Sequence, residues 1–313
     1  MPPTDSSEPP RKPLLESLLE VLRASGFKAS ELYDEQGCFD FIAKDDHRLM
    51  VAKVAPDIDR FSSKLSYWLK KVANILSAAP VIIGLSRGSE SIENGVVYDK
   101  FNVPTTNINT LKQALAGFSP YLYFKAGRYY VKIDGASLKS FRERLNISLG
   151  DLARTIGVSR RTIYEYERSG MLATIETAMK LQEAVETKLL LPIDIFESRS
   201  TPVFETDEAR GVMVGAVSKK LSKLGLKTYT IERAPFNIIA KNHDFKILVK
   251  VSGKLSKKVK RQIRTVESMA NVSGSLGITI IKDGEDEELK ALNYGEFKRI
   301  KSRNELLEVI GAP

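Results

Sequence analysis

Ser148-Leu-Gly-Asp-Leu-Ala-Arg-Thr-Ile-Gly-Val-Ser159-Arg-Arg-Thr-Ile-Tyr-Glu-Tyr-Glu167 is the stretch on which the reading of this chain turns. Ser148 followed three residues later by Asp151 is a capping-box pattern that opens a short helix carrying Leu152, Ala153 and Ile156. Gly157 ends that helix and Val158 fills the turn. Ser159 stands where it caps a second helix, Arg160 to Ser169, whose inward face carries Ile163 and Tyr166 at helical spacing. Two short helices across a tight turn have the dimensions of a helix-turn-helix.

The outward face of the second helix carries Arg160, Arg161, Tyr164, Glu165 and Arg168. Arginine donates two parallel hydrogen bonds to guanine, glutamate accepts from cytosine, and a helix fits the major groove. The stretch resembles the Cro/repressor type of helix-turn-helix, with Leu138, Phe141 and Leu145 on its first helix. That resemblance implies that Arg160, Arg161 and Glu165 approach base edges while Ser159 and Thr162 lie near phosphates. It also implies an internal ion pair between Arg142 and Glu167, which removes Arg142 from the DNA contacts. Tyr164 joins the base-reading face, and Arg168, one turn on, the backbone contacts. A single head of this kind binds modestly, so a homodimer on a palindrome is expected, its half-sites about one helical turn apart.

With the lead-in Tyr129-Tyr-Val-Lys-Ile-Asp-Gly135, nearly all of the chain after residue 12 resembles an archaeal family of helix-turn-helix transcriptional regulators. That resemblance implies double-stranded DNA as partner and regulation as role. It names neither operator nor effector.

The rest of the chain has its own pattern. Phe39 to Val54 aligns without gaps on Phe236 to Val251. Phe39/Phe236, Ile42/Ile239, Ala43/Ala240, Lys44/Lys241, Lys53/Lys250 and Val54/Val251 are identical, where average composition gives roughly one match. An amphipathic helix ending in glycine precedes each segment (Leu14 to Ser25; Val212 to Leu224), and a helix and apolar strand follow (Phe61 to Leu76 and Val81 to Leu85; Lys254 to Met269 and Leu276 to Ile281). At a shift one residue smaller, Tyr98, Phe101 and Leu111 fall on Tyr294, Phe297 and Leu307. The expected layout is α/β plus all-α: a disordered tail at 1–12, an α/β domain at 13–118, a β-hairpin connector at 119–136, a purely helical domain at 137–196, a linker at 197–208 and a repeated α/β domain at 209–313.

Each α/β copy resembles the restriction-endonuclease-like fold with its PD-(D/E)xK motif. Such nucleases hold magnesium with the aspartate and an acid two residues before the lysine, because a hard cation takes carboxylate oxygens. In the first copy Asp40 and Lys53 are present but the acid position is Val51; in the second Asn237 and Leu248 leave only Lys250. The copies read as catalytically dead members of that fold or as an unrelated scaffold, with no metal and no cofactor. Glu16 or Glu20 as a displaced carboxylate keeps a site-directed nuclease open as the rival reading.

The chain has 313 residues and a formal charge of +9. Ser218 to Arg264 holds fourteen lysines and arginines against Glu232 and Asp244, an excess larger than that of the whole chain, so the remainder is net acidic. Lys254, Lys257, Lys258 and Arg261 fall on one helical face by their spacing and are candidate backbone contacts. Cys38 alone forbids an internal disulfide, which fits a cytoplasmic setting, and His47 and His243 fall in matching turns outside any acid/base role. Trp68 and Tyr67 read as core or dimer contacts. No apolar run is long enough to span a bilayer, and the opening residues lack a signal peptide's regions.

Overall fold

The computed structural model describes residues 11–32, 36–169, 171–197, 211–284, 289 and 291–311. The chain divides into two compact units: residues up to Ile83 join those from Phe196 onward, and Gly84 to Ile195 form the other. Of the expected tail, 1–10 lie outside the described residues, while Arg11 and Lys12 already belong to helix α1 (Arg11–Ala24). Most of the expected linker, 198–208, also lies outside them.

In the first unit α1 buries Leu14, Leu15, Leu18 and Leu22. Strands β1 (Lys28–Ala29), β2 (Phe41–Lys44) and β3 (Leu49–Val54) pair antiparallel, and α2 (Ser63–Leu76) crosses over to β4 (Ala79–Ile83), parallel to β3. A parallel pair requires such a crossover. Trp68 on α2 is buried and meets Tyr67 edge to face, so it is a core residue. Cys38 is buried and His47 and His243 are exposed.

Along the chain the second unit follows: β5 (Ser86–Arg87), β6 (Glu90–Ser91), β7 (Val96–Lys100), β8 (Val103–Thr106), α3 (Ile108–Leu115), β9 (Leu122–Lys125), β10 (Arg128–Ile133), α4 (Gly135–Arg144), α5 (Leu149–Ile156), α6 (Arg160–Ser169), β11 (Leu172–Thr174), α7 (Ile175–Val185) and β12 (Leu190–Leu191). Two expectations are corrected by this order. Residues 137–196 are not purely helical, because β11 and β12 both pair with β10. Nor is 119–136 a mere connector: β7 pairs parallel with β9, which ties 84–118 to the helices after the hairpin. Phe101 is exposed in a left-handed turn at φ 54° whereas Phe297 is fully buried, so these two are not equivalent.

The first unit resumes with α8 (Val212–Lys223), β13 (Lys227–Thr230), β14 (Ile238–Lys241), β15 (Lys246–Lys254), α9 (Lys257–Ser273), β16 (Leu276–Asp283), β17 (Ala291–Asn293), α10 (Tyr294–Arg299) and α11 (Arg303–Ile310). Helix, antiparallel strands, crossover helix and parallel strand recur in the order of the first limb. Hydrogen bonds recur at matching positions. Asp40 N donates to Ala52 O at 2.8 Å and Asn237 N to Val249 O at 2.8 Å. Asp40 Oδ2 accepts from Val54 N at 2.6 Å, and Asn237 Oδ1 from Val251 N at 2.9 Å. The rings of Phe39 and Phe236, identical and matched in sequence, lie 6.1 Å apart. On α11 the fully buried leucine is Leu306, next to the Leu307 that the pattern suggests.

Lys254 is corrected as well. It ends β15, its backbone in register with Asp283 of β16, and α9 starts only at Lys257, where Ser256 Oγ accepts from Val259 N. Lys254 therefore shares no helical face with Lys257, Lys258 and Arg261.

Candidate nucleic-acid interface

Each helix of the motif is started and stopped by short-range chemistry. Asp134 caps α4, accepting from Ser137 N at 3.0 Å and Ser137 Oγ at 2.7 Å, and these bonds hold its carboxyl below the usual carboxylate range. Ser148 Oγ accepts from Asp151 N at 3.1 Å, capping α5, and donates to Asp151 Oδ2 at 2.7 Å. At the other end Gly157 sits at φ 80°, a left-handed conformation that a side chain would strain. Ser159 Oγ accepts from Thr162 N at 3.0 Å and starts α6.

Apolar residues then fix the rotation of α6. Ile163 and Tyr166 are buried in one core with Leu138, Leu152, Ala153 and Ile156, and this core continues through Val131 and Ile133 of β10 and Ala173 of β11. Leu145 does not take part: it is 43 % exposed at the end of α4, and Ile147 packs instead after the left-handed Asn146.

With Ile163 and Tyr166 turned inward, Arg160, Arg161, Tyr164 and Arg168 are exposed on the opposite face of α6; Thr162 and Glu165 are half-buried at its margin and Ser159 is exposed at its start. Thr162 Oγ1 lies 2.8 Å from Ser159 Oγ. The exposed face is therefore continuous, with guanidinium groups at both ends.

Arg142 is withheld from that face. Its Nε and Nη2 donate to the two carboxylate oxygens of Glu167 at 2.6 and 3.1 Å, and its Nη1 donates to Ile147 O at 2.9 Å. The Glu167 hydrogen bond raises the guanidinium pKa further. A contact with no signal in the helix pattern lies nearby: a Cβ on Gly135 would stand 2.2 Å from Tyr166 O and 2.7 Å from Glu167 O, so the start of α4 rests on the backbone of α6. The glycine behind the capping Asp134 is the one hint of it in the sequence.

In the first unit Asp40 and Lys53 come together. Asp40 is fully buried, and Oδ1 accepts from Arg11 Nη2 at 2.7 Å and Lys53 Nζ at 3.0 Å while Oδ2 accepts from Val54 N. Lys53 Nζ donates also to Gly37 O at 2.9 Å. Val51 and Leu248 are fully buried strand residues, and Glu16 is exposed on α1 near Lys12. Magnesium needs several free oxygen ligands. Asp40, neutralised by two cations, does not fit it, and among the described residues no three His, Cys, Asp or Glu side chains cluster. Lys257, Lys258 and Arg261 are exposed on α9, and Lys254 is exposed at the strand end before it.

A family profile described as PD-(D/E)XK superfamily domain matches residues 11–120, and one described as helix-turn-helix matches 138–190. Proteins provisionally named HTH-type transcriptional regulatory proteins match over nearly their full length. That of Pyrococcus horikoshii is 32 % identical over 96 % of this chain and 97 % of its own, and that of Methanocaldococcus jannaschii 32 % over 96 % of each. The Archaeoglobus fulgidus protein is 31 % identical over 85 % of this chain and 84 % of its own. No solved structure matches the chain. No helix among the described residues is long and apolar enough to cross a membrane.

Proposed function

The chain belongs to the family of archaeal helix-turn-helix-type transcriptional regulatory proteins, and from that premise we propose that α6 reads sequence in the major groove of duplex DNA. The protein is a DNA-binding regulator of transcription. The observation that carries the mechanism is the division of α6 into a buried Ile163/Tyr166 face and an exposed face bearing Arg160, Arg161, Tyr164 and Arg168. Arg160, Arg161, Tyr164 and Glu165 contact bases; Ser159, Thr162 and Arg168 hold the flanking backbone, where the α6 N-terminus favours phosphate. Two chains bind a palindrome as a homodimer.

The test is selection of bound sequences from a random duplex pool, followed by Arg161→Ala on the selected site. Affinity for that site should fall by about 1–3 kcal/mol and the preference at one base position should relax. A pool that yields no consensus, or an Arg161→Ala protein with unchanged preference, would remove α6 as the reading element.

We read the two α/β segments as copies of one domain, supported by the recurring hydrogen bonds and by the meeting of Phe39 with Phe236. The second copy contacts backbone phosphates through Lys254, Lys257, Lys258 and Arg261. Replacing Lys257, Lys258 and Arg261 together should weaken binding to all duplexes alike and flatten the log–log salt dependence by about 0.9 for each phosphate no longer neutralised. An unchanged slope would dispose of that surface.

The protein works by binding, and we assign no turnover to it. A nuclease is the competing class, favoured by the PD-(D/E)XK match over 11–120. Plasmid incubated with magnesium or manganese should stay intact; cleavage that disappears in Asp40→Asn or Lys53→Met would establish the enzyme instead.

A further inference from the structure

A row of three aromatic rings crosses adjacent strands of the second unit. Tyr98 on β7 is in register with Phe124 on β9, and Phe124 is in register with Tyr129 on β10. The Phe124 centroid lies 5.1 Å from that of Tyr98 and 5.0 Å from that of Tyr129. Side chains two residues apart on a strand share a face, so the row lies on the face that carries Leu122 of β9 and Val131 and Ile133 of β10. Those three pack in the core that holds Ile163 and Tyr166 of α6. The aromatic row thus continues the surface on which α6 rests.

The row forms one wall of a cavity of about 430 Å³, a size within the range of small-molecule sites. The β5–β6 hairpin, where Arg87 pairs with Glu90, and the loop after it, which brings in Glu93, form the rest. Arg87 lays its guanidinium over Phe124, 4.6 Å from the ring centroid, so the protein already seats one cation on the middle ring. Tyr129 Oη donates to Glu93 Oε1, and Tyr98 Oη accepts from Glu93 N at 3.2 Å. The bond to Glu93 pushes the Tyr129 phenol up to about 12, which keeps that ring uncharged at neutral pH. Of the charged side chains lining the cavity, two are carboxylates and one is a guanidinium. Ring faces attract a cation through their quadrupole, and a surplus carboxylate neutralises it. An anion would have to separate Arg87 from Glu90 and would still face Glu93.

We propose that this cavity binds a small organic cation, an ammonium or guanidinium compound, and that its occupancy alters the affinity of α6 for DNA. The binding site stands on its own geometry; the effect on DNA rests on the proposed function. Strand β10 carries both ends of the link, with Tyr129 in the cavity and Val131 and Ile133 in the core of α6. By linkage, DNA must change the affinity for the cation by the same factor.

Tetramethylammonium chloride is titrated into the full-length wild type, Tyr129→Phe, Tyr129→Leu and Glu90→Gln/Glu93→Gln, with sodium chloride holding the ionic strength constant and sodium benzoate as the anionic comparison. The wild type should bind tetramethylammonium saturably, with its methyl proton signal moved upfield by the ring faces, and should bind benzoate more weakly. Tyr129→Phe keeps the ring and should bind within about twofold of the wild type, whereas Tyr129→Leu should bind about fivefold more weakly or worse. The double glutamine variant changes only exposed side chains, keeps the fold and should bind about tenfold more weakly. Affinity for the selected duplex should differ by about fivefold or more between tetramethylammonium and sodium at equal ionic strength in the wild type, and not in the double variant. Cation binding without that difference keeps the site and strikes its link to α6. Cation binding by a protein that takes up no duplex keeps the site and removes the reading of α6. No saturable binding, benzoate bound as tightly as tetramethylammonium, or variants that all bind like the wild type would overturn the site and leave Arg87 as the cation for which the rings are built.

Discussion

Arg142→Met should destabilise the helix-turn-helix unit by about 3–5 kcal/mol, the usual consequence of leaving one partner of a buried ion pair behind. The Arg142 side chain is 10 % exposed and that of Glu167 7 %, and three hydrogen bonds converge on the guanidinium. Methionine keeps most of the aliphatic stem, so the loss is mainly one of charge and donors. The pair joins α4 to α6 and, through Ile147 O, the segment between α4 and α5, so its removal frees the rotation of α6. DNA affinity should fall with stability. The double variant Arg142→Met/Glu167→Leu should recover most of the stability, because it leaves no buried charge uncompensated. Hydrogen exchange of the α6 amides measures the effect locally, which matters in a chain of two units that need not unfold together. Trp68, the single tryptophan, lies in the other unit and serves as control: its fluorescence transition should not move. Exchange in α6 slowed or accelerated by less than the equivalent of about 1 kcal/mol would mean that the pair contributes no more than a surface bridge.

The residues that start and stop helices by local chemistry are legible in the sequence. Ser148, Gly157 and Ser159 act within four residues of themselves, and Ile163 and Tyr166 obey the helical period, so the geometry of α5 and α6 follows from the string. The gapless alignment also pairs Asp40 with Asn237, and both side chains accept from a backbone N–H fourteen residues on. Short strands are not. β11 and β12 have three and two residues, too few to display a period, and exist because β10 offers them an edge. The parallel pairing of β7 with β9 is set by sheet contacts that no local pattern records. Lys254 misleads because a spacing of three or four residues is helical only if the helix has begun, and Ser256 decides that it has not. Leu145 looks like the next inward residue of α4, but the chain turns at Asn146 and brings in Ile147 instead.

Gly135→Ala sets two effects of opposite sign against each other. In a helix, alanine is favoured over glycine by about 1 kcal/mol, so propensity alone makes the substitution stabilising. The added Cβ, however, would lie 2.2 Å from Tyr166 O and 2.7 Å from Glu167 O. Both are main-chain carbonyls inside α6, and no rotamer change can withdraw them; either α4 retreats or α6 shifts. Overpacking a fitted core costs about 1–3 kcal/mol, and contacts with rigid backbone put this case at or beyond the upper end, so the clash prevails and a net loss of about 2–3 kcal/mol is expected. Gly150→Ala supplies the comparison: on α5 the new Cβ would find Ser148 Oγ at 3.7 Å as its nearest neighbour, so that variant should gain up to about 1 kcal/mol. Because Gly135 supports the turn of α6 that holds Tyr166 and Glu167, its replacement should also lower affinity for the selected DNA site, while Gly150→Ala binds as the wild type. Equal stability of the two variants would mean that α4 does not rest on α6, and the angle of α6 would then have to be set by the Arg142–Glu167 pair and the apolar core alone.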